Sequence, residues 1–115
     1  MSTVNYKEKA IDPQGFFVIA DPRTFLAFAL AGLPGGGAET PEEARRLLAQ
    51  AQGRPEVGLI LITQRLARQV QAEVDAAREA GMPPLIVEIP DMTGAVEGAQ
   101  PLMERLRAVM GVPRG

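Results

Sequence analysis

Two residue types that supply much of enzyme chemistry are missing: the 115 residues include no cysteine and no histidine. Without cysteine there is no disulfide framework, no thiol nucleophile and no thiolate metal ligand. Without histidine there is no imidazole general base, and the usual zinc ligand sets go with it. Aromatic side chains make up 4% of the chain, too few to build stacking platforms for bases or sugar rings. Charge of neither sign dominates, since 12 basic and 14 acidic residues leave a formal net charge of -2. Arginines stand beside glutamates along the helices instead of gathering into a stripe, so nucleic-acid binding finds no support. No apolar run, neither Phe25 to Leu33 nor Val57 to Ile62, is long enough to span a bilayer.

What remains is the composition of a globular domain, with 46% hydrophobic and 23% charged residues. A chain of this length buries roughly two-thirds of its unfolded surface in one core. The opening residues, MSTVNYKEKA, are polar, carry both charge signs and end in no small-residue cleavage site. They do not read as a signal peptide, and the expected location is cytoplasmic. Residues 1–15 lack hydrophobic periodicity and close on Asp12-Pro13-Gln14-Gly15; they are expected to form a mobile extension. Residues 16–115 are expected to form a single α/β domain.

Within that domain Phe16 to Ala20 is a continuous apolar run, the pattern of a strand buried on both faces. Asp21-Pro22 then opens a helix, the Asp placed as a cap and the Pro at the first helical position. Phe25, Leu26, Ala29 and Leu30 give that helix an apolar face, and Gly32 stops it. A short edge strand around Gly37 to Glu39 is all that fits before the next helix. Thr40-Pro41-Glu42-Glu43 is a capping-box signature, followed by Ala44, Leu47, Leu48 and Ala51 at helical spacing, with Gly53 closing the element. Val57 to Ile62 reads as the central strand. Leu66, Ala67, Val70, Val74 and Ala77 then predict one helix over 64–80, ended by Gly81. Leu85 to Ile89 is another buried strand between Pro84 and Pro90. A loop through Gly94 and Gly98 leads to a last helix from Pro101, with Leu102, Leu106 and Val109 on one side and Gly111 at its end. This order predicts a flavodoxin-like (Rossmann-like) parallel sheet of about four strands, order 2-1-3-4, with helices on both faces.

In such a sheet ligands bind beyond the carboxyl ends of the strands, where Asp21, Thr63, Glu88 and Asp91 stand. A phosphoacceptor receiver would need several acidic groups, a free acceptor Asp and a Lys. This chain has Thr63 at the acceptor position and no Lys after Lys9. Asp21 and Thr63 are read as helix caps instead. Gly35-Gly36-Gly37 follows a helix and lacks the P-loop Lys, which favours a connector over a phosphate cradle. Glu42 and Glu43 point about 100° apart on a helix and suit its positive end. Met103 and Met110 are core filler first and adaptable interface groups second.

Taken together, several segments resemble one family, the F subunits of the V-type and A-type rotary ATPases. They are Val18-Ile19-Ala20-Asp21-Pro22 with Phe28-Ala29-Leu30-Ala31-Gly32, then Gly58-Leu59-Ile60-Leu61-Ile62-Thr63-Gln64-Arg65-Leu66-Ala67. Pro84-Leu85-Ile86-Val87-Glu88-Ile89-Pro90 is the most distinctive, and Gly94-Ala95-Val96-Glu97-Gly98 follows at the expected distance, before a helix ending at Met110-Gly111. The likeness covers nearly everything from Phe16 to Val112. It departs in the extension through Gly15 and in the triple-glycine connector.

The resemblance implies a rotor component of the central stalk with no catalytic residues, cofactor or metal of its own. It would bind the long coiled-coil shaft subunit and, through it, meet the catalytic hexamer and the membrane rotor. It would influence ATP hydrolysis or synthesis and ion transport without entering the membrane or touching nucleic acid. The family pattern brings the last helix and the preceding loop to the shaft, so Val96, Glu97, Met103, Leu106, Arg107 and Met110 are the expected partner interface, with rim charges such as Glu104 and Arg105 setting orientation. The competing readings are a stand-alone receiver-like adaptor and a small-ligand-binding domain, the latter requiring that a nucleotide or phosphate raise thermal stability.

Overall fold

A computed structural model describes residues 15–91 and Glu104. The expected extension over 1–14, the Gly94 to Gly98 loop and the helix expected from Pro101 lie outside the described residues, apart from Glu104, which is helical and exposed.

The two central strands are apolar, β-rich runs because both of their faces are buried, leaving no room for alternation; the strand at Leu85–Ile89, expected to be buried, is an edge strand with Leu85 exposed and Val87 and Glu88 half-buried. β1 spans Phe16–Ala20 and is buried at every position. β2 is Gly35–Gly37, β3 is Leu59–Thr63 and β4 is Leu85–Ile89. All pair in parallel in the order β2-β1-β3-β4, as predicted. The register puts Phe16 beside Leu59 and Leu59 beside Leu85, so one row runs across the three long strands.

Four helices connect them: α1 (Pro22–Leu30), α2 (Pro41–Gln52), α3 (Gln64–Gln69) and α4 (Gln71–Glu79). Right-handed crossovers send α1 to one face and the others to the opposite face, because only the first connection runs outward from β1 to β2. The two cores follow from this. On one face Phe17, Ile19, Ile60, Ile62 and Ile86 meet Leu48 of α2, Leu66 of α3 and Val74 of α4. On the other, Phe16, Val18, Ala20, Leu61 and Ile89 meet Phe28 of α1 and Leu33.

Three elements differ from what the sequence predicts. α1 buries Thr24, Ala27 and Phe28, whereas Leu26, Ala29 and Leu30 of its expected apolar face are exposed and Phe25 is half-buried. The edge strand lies at Gly35–Gly37, two residues earlier than expected. There Val18 and its neighbours pair with glycines, and the absence of Cβ atoms brings β2, α1 and α2 unusually close. A Cβ on Gly36 would sit 2.7 Å from Leu47 Cδ2, and one on Gly37 2.9 Å from the Pro22 Cα. The triple glycine is thus a packing device and not a loose connector.

The helix predicted over 64–80 is two helices. Val70 leaves the helical region at φ -122° and ψ 38°, while its N–H still donates to the carbonyls of Leu66 and Ala67 and its own carbonyl accepts from Val74. α3 rests on β3, β4 and α2, while α4 packs on β4. A β-branched residue tolerates the extended φ, and Val70 stays buried through the offset. The apolar spacing is therefore uninterrupted, and the sequence pattern carries no sign of the break.

Candidate functional site

The place to look for a ligand site is the carboxyl edge of the sheet, between β1 and β3, where the order of strands reverses. The three carboxylates expected there, Asp21, Glu88 and Asp91, each have a partner. Asp21 ends β1 in an extended conformation and its Oδ2 accepts the Thr24 N–H at 3.1 Å, capping α1 as expected.

Thr63 holds the N-cap position of α3, but its side chain makes no capping hydrogen bond, contrary to the expectation from sequence. Asp91 takes that role. Its Oδ2 and Oδ1 accept the Arg65 N–H at 3.1 and 3.4 Å from beyond the end of β4. The short α3 is capped across the sheet because the end of β4 lies beside the end of β3, Thr63 standing opposite Ile89. The only sequence signal for this is an Asp two residues past a strand, which by itself points to no partner.

Glu88 turns away from the edge toward the far end of α4, where Arg78 Nη2 lies 3.7 Å from its Oε2. The same nitrogen donates to the Ile86 carbonyl at 3.2 Å. Nothing in the sequence pattern singles out Arg78 for this place.

At α2 the capping box forms with a shift. Thr40 Oγ1 accepts the Glu43 N–H at 3.2 Å, and Glu43 Oε1 reaches back to the Glu39 N–H at 2.8 Å, one residue before the cap. The Glu39 amide is the main reason the Glu43 carboxyl is held below its ordinary value; Thr40 and Arg46 act in the same direction, and partial desolvation opposes them. Glu42 stands 3.8 Å from Arg45, whose Nε also binds Glu73 at 3.0 Å and ties α2 to α4. Both glutamates serve the helix, as their places in its first turn imply.

One buried polar atom near this edge has no partner. Thr24, in the first turn of α1, is 0% exposed and its Oγ1 makes no hydrogen bond. An unpaired buried hydroxyl costs on the order of 1–3 kcal/mol. Thr24→Val keeps the shape and removes that cost, so a gain of about 1 kcal/mol in stability is expected, read as a higher urea midpoint at unchanged slope. A loss of stability would show that the hydroxyl is paired in solution.

Among the described residues no group of three or more acidic side chains could hold a metal ion. The residues expected to meet a partner, Val96, Glu97, Met103, Leu106, Arg107 and Met110, lie outside the described residues. The structure brings together Asp21 and Thr24, Asp91 and Arg65, and Glu88 and Arg78. It does not bring the four strand-end residues Asp21, Thr63, Glu88 and Asp91 together around a common point.

Fold and site together define a class: a small doubly wound α/β domain of parallel order 2-1-3-4 whose strand-end carboxylates are engaged by helix caps and an ion pair. Comparison with known proteins gives the family. The pattern for the ATP synthase (F/14-kDa) subunit matches residues 16–106, and the chain belongs to that family. A relative from Thermococcus kodakarensis, the F subunit of an A-type ATP synthase, is 38% identical over 100 residues, covering 83% of this chain and 92% of the relative. Relatives of the same description from Methanococcus maripaludis and Pyrococcus furiosus are 31% and 33% identical, each covering 83% of this chain and 93% and 92% of their own lengths.

Proposed function

We propose that this chain is a non-catalytic central-stalk subunit of an A-type or V-type rotary ATPase. It binds the coiled-coil shaft subunit and turns with it inside the catalytic hexamer. Through the shaft it is linked to the membrane rotor, and it modulates ATP hydrolysis or synthesis and the coupled ion transport. The observation that carries this reading is the family match across residues 16–106, with relatives named as F subunits of A-type ATP synthases aligned over more than nine-tenths of their length. The strand-end geometry agrees with it, since the carboxylates that a receiver or ligand-binding domain would leave open are engaged by backbone amides and by Arg78. The reading invokes no cofactor. It places the chain at the cytoplasmic side of a membrane-bound complex, in keeping with the absence of any described helix long and apolar enough to cross a bilayer.

The contact is assigned to Val96, Glu97, Met103, Leu106, Arg107 and Met110. A helix with apolar groups on more than one side can face its own sheet and a partner helix together. Coexpression with the shaft protein encoded in the same genome, followed by size-exclusion chromatography with light scattering, is expected to give a one-to-one complex. Met103→Asp/Leu106→Asp should weaken it by roughly 100-fold or more, the loss expected when two buried anchors become charged, while circular dichroism shows the chain still folded. A wild-type chain that elutes alone would overturn the assignment and favour the stand-alone adaptor.

A further inference from the structure

The sheet ends on one side at β4, Leu85–Ile89, which has no strand beyond it among the described residues. An edge of sequence LIVEI, with one charged residue, is a template for another strand. The Leu85 N–H points inward to the Gly58 carbonyl at 2.9 Å. By the alternation of a parallel ladder, Leu85, Val87 and Ile89 address β3, while Ile86 and Glu88 turn their N–H and C=O groups outward. Apolar surface lies next to this edge, with Met82 73% and Leu85 47% exposed.

Two such edges from two copies fit each other. In an antiparallel pair centred on Val87, Ile86 of each copy stands opposite Glu88 of the other, and each of these pairs exchanges both backbone bonds. The pairing is two-fold and closes on itself. Half of its backbone bonds need the Ile86 carbonyl as acceptor. That carbonyl is the one taken by Arg78 Nη2 at 3.2 Å, with the guanidinium held over the edge by Glu88 at 3.7 Å.

We propose that β4 is a latent self-association edge for a second copy of this chain and that Arg78 is the guard that keeps it closed. The guard comes from α4, so it depends on the tertiary fold and not on the strand itself. Proline at 84 and 90 confines the edge to the five residues of β4.

The test compares the full-length wild type with Arg78→Leu, which keeps much of the side-chain volume and removes the donors. At roughly 100 µM, where a pair of micromolar affinity is nearly complete, light scattering should give the wild type the mass of one chain and Arg78→Leu twice that mass. Hydrogen exchange at the Ile86 and Glu88 amides should slow in the variant as its concentration rises. Arg78→Leu/Glu88→Pro removes an outward donor while sparing the inner ladder, and it should return to the mass of one chain. The proposal is overturned by a folded Arg78→Leu of single-chain mass or by a wild type already paired through β4. It is equally overturned by an Arg78→Leu that aggregates or doubles in mass with no recovery from Glu88→Pro.

Discussion

Gly35→Ala is expected to lose about 3 kcal/mol or more of stability, because the new methyl group has nowhere to go. Gly35 has φ +148°, and a Cβ built there falls onto the Val18 carbonyl oxygen, 2.6 Å from the Val18 nitrogen and 2.8 Å from its carbonyl carbon. These are backbone atoms of the strand paired on both sides, with Val18 registered against Gly35 and Leu61 and its N–H donating to the Pro34 carbonyl at 2.9 Å. They cannot yield without breaking the sheet. A Cβ at Gly58 meets nothing within 4 Å, so Gly58→Ala should stay within about 0.5 kcal/mol of wild type. Gly36→Ala should be milder than Gly35→Ala, since the atom it meets is the movable end of Leu47. Urea unfolding followed by circular dichroism should lower the Gly35→Ala midpoint by roughly 1–3 M. Equal midpoints for Gly35→Ala and Gly58→Ala would refute the close approach of β2 to β1.

Phe28→Ala should cost about 3–5 kcal/mol, the range for removing a buried aromatic ring. Among the described helices α1 alone covers its face of the sheet, and Phe28 is its largest buried side chain, 0% exposed among Phe16, Val18, Ala20, Leu33, Leu61 and Ile89. No second helix among the described residues stands ready to collapse into the space. Leu30, two residues on and 77% exposed, provides the comparison, because Leu30→Ala should change stability by no more than about 0.5 kcal/mol. In thermal unfolding the first variant should melt about 15 °C or more below the second. Similar melting points would mean that α1 is not anchored through Phe28.

Much of this is legible in the chain. The unalternating runs at Phe16 to Ala20 and Leu85 to Ile89 are strands with the predicted bounds; the first is buried at every position, as such a run implies, whereas the second lies at the edge of the sheet with Leu85 exposed. Asp21-Pro22 and Thr40-Pro41 open helices where expected, because capping joins residues three apart and sequence shows such neighbours directly. The order of strands follows from the alternation of elements and the handedness of crossovers. The segments from Val18 to Pro90 that resemble the F subunits of rotary ATPases carry the family, and the match over 16–106 agrees.

What local pattern does not show are choices made between distant parts of the chain. Asp91 caps Arg65 from 26 positions away, while the nearer Thr63 leaves the task undone. Val70 breaks a helix without disturbing its apolar spacing, since Leu66, Val70 and Val74 all stay buried on either side of the break. Three glycines that read as a connector are the closest contact of an edge strand, since the backbones they admit belong to β1 and α1. In sequence Arg78 is one more solvated charge on a helix; the fold places the Ile86 carbonyl of β4 within its reach. The sequence by itself therefore determined most of the described elements, the order of the strands and the family, all set by contacts short along the chain or by topology. The tertiary structure alone decided which polar group serves which partner, because a hydrogen bond depends on a few tenths of an ångström in space and leaves no period in the sequence.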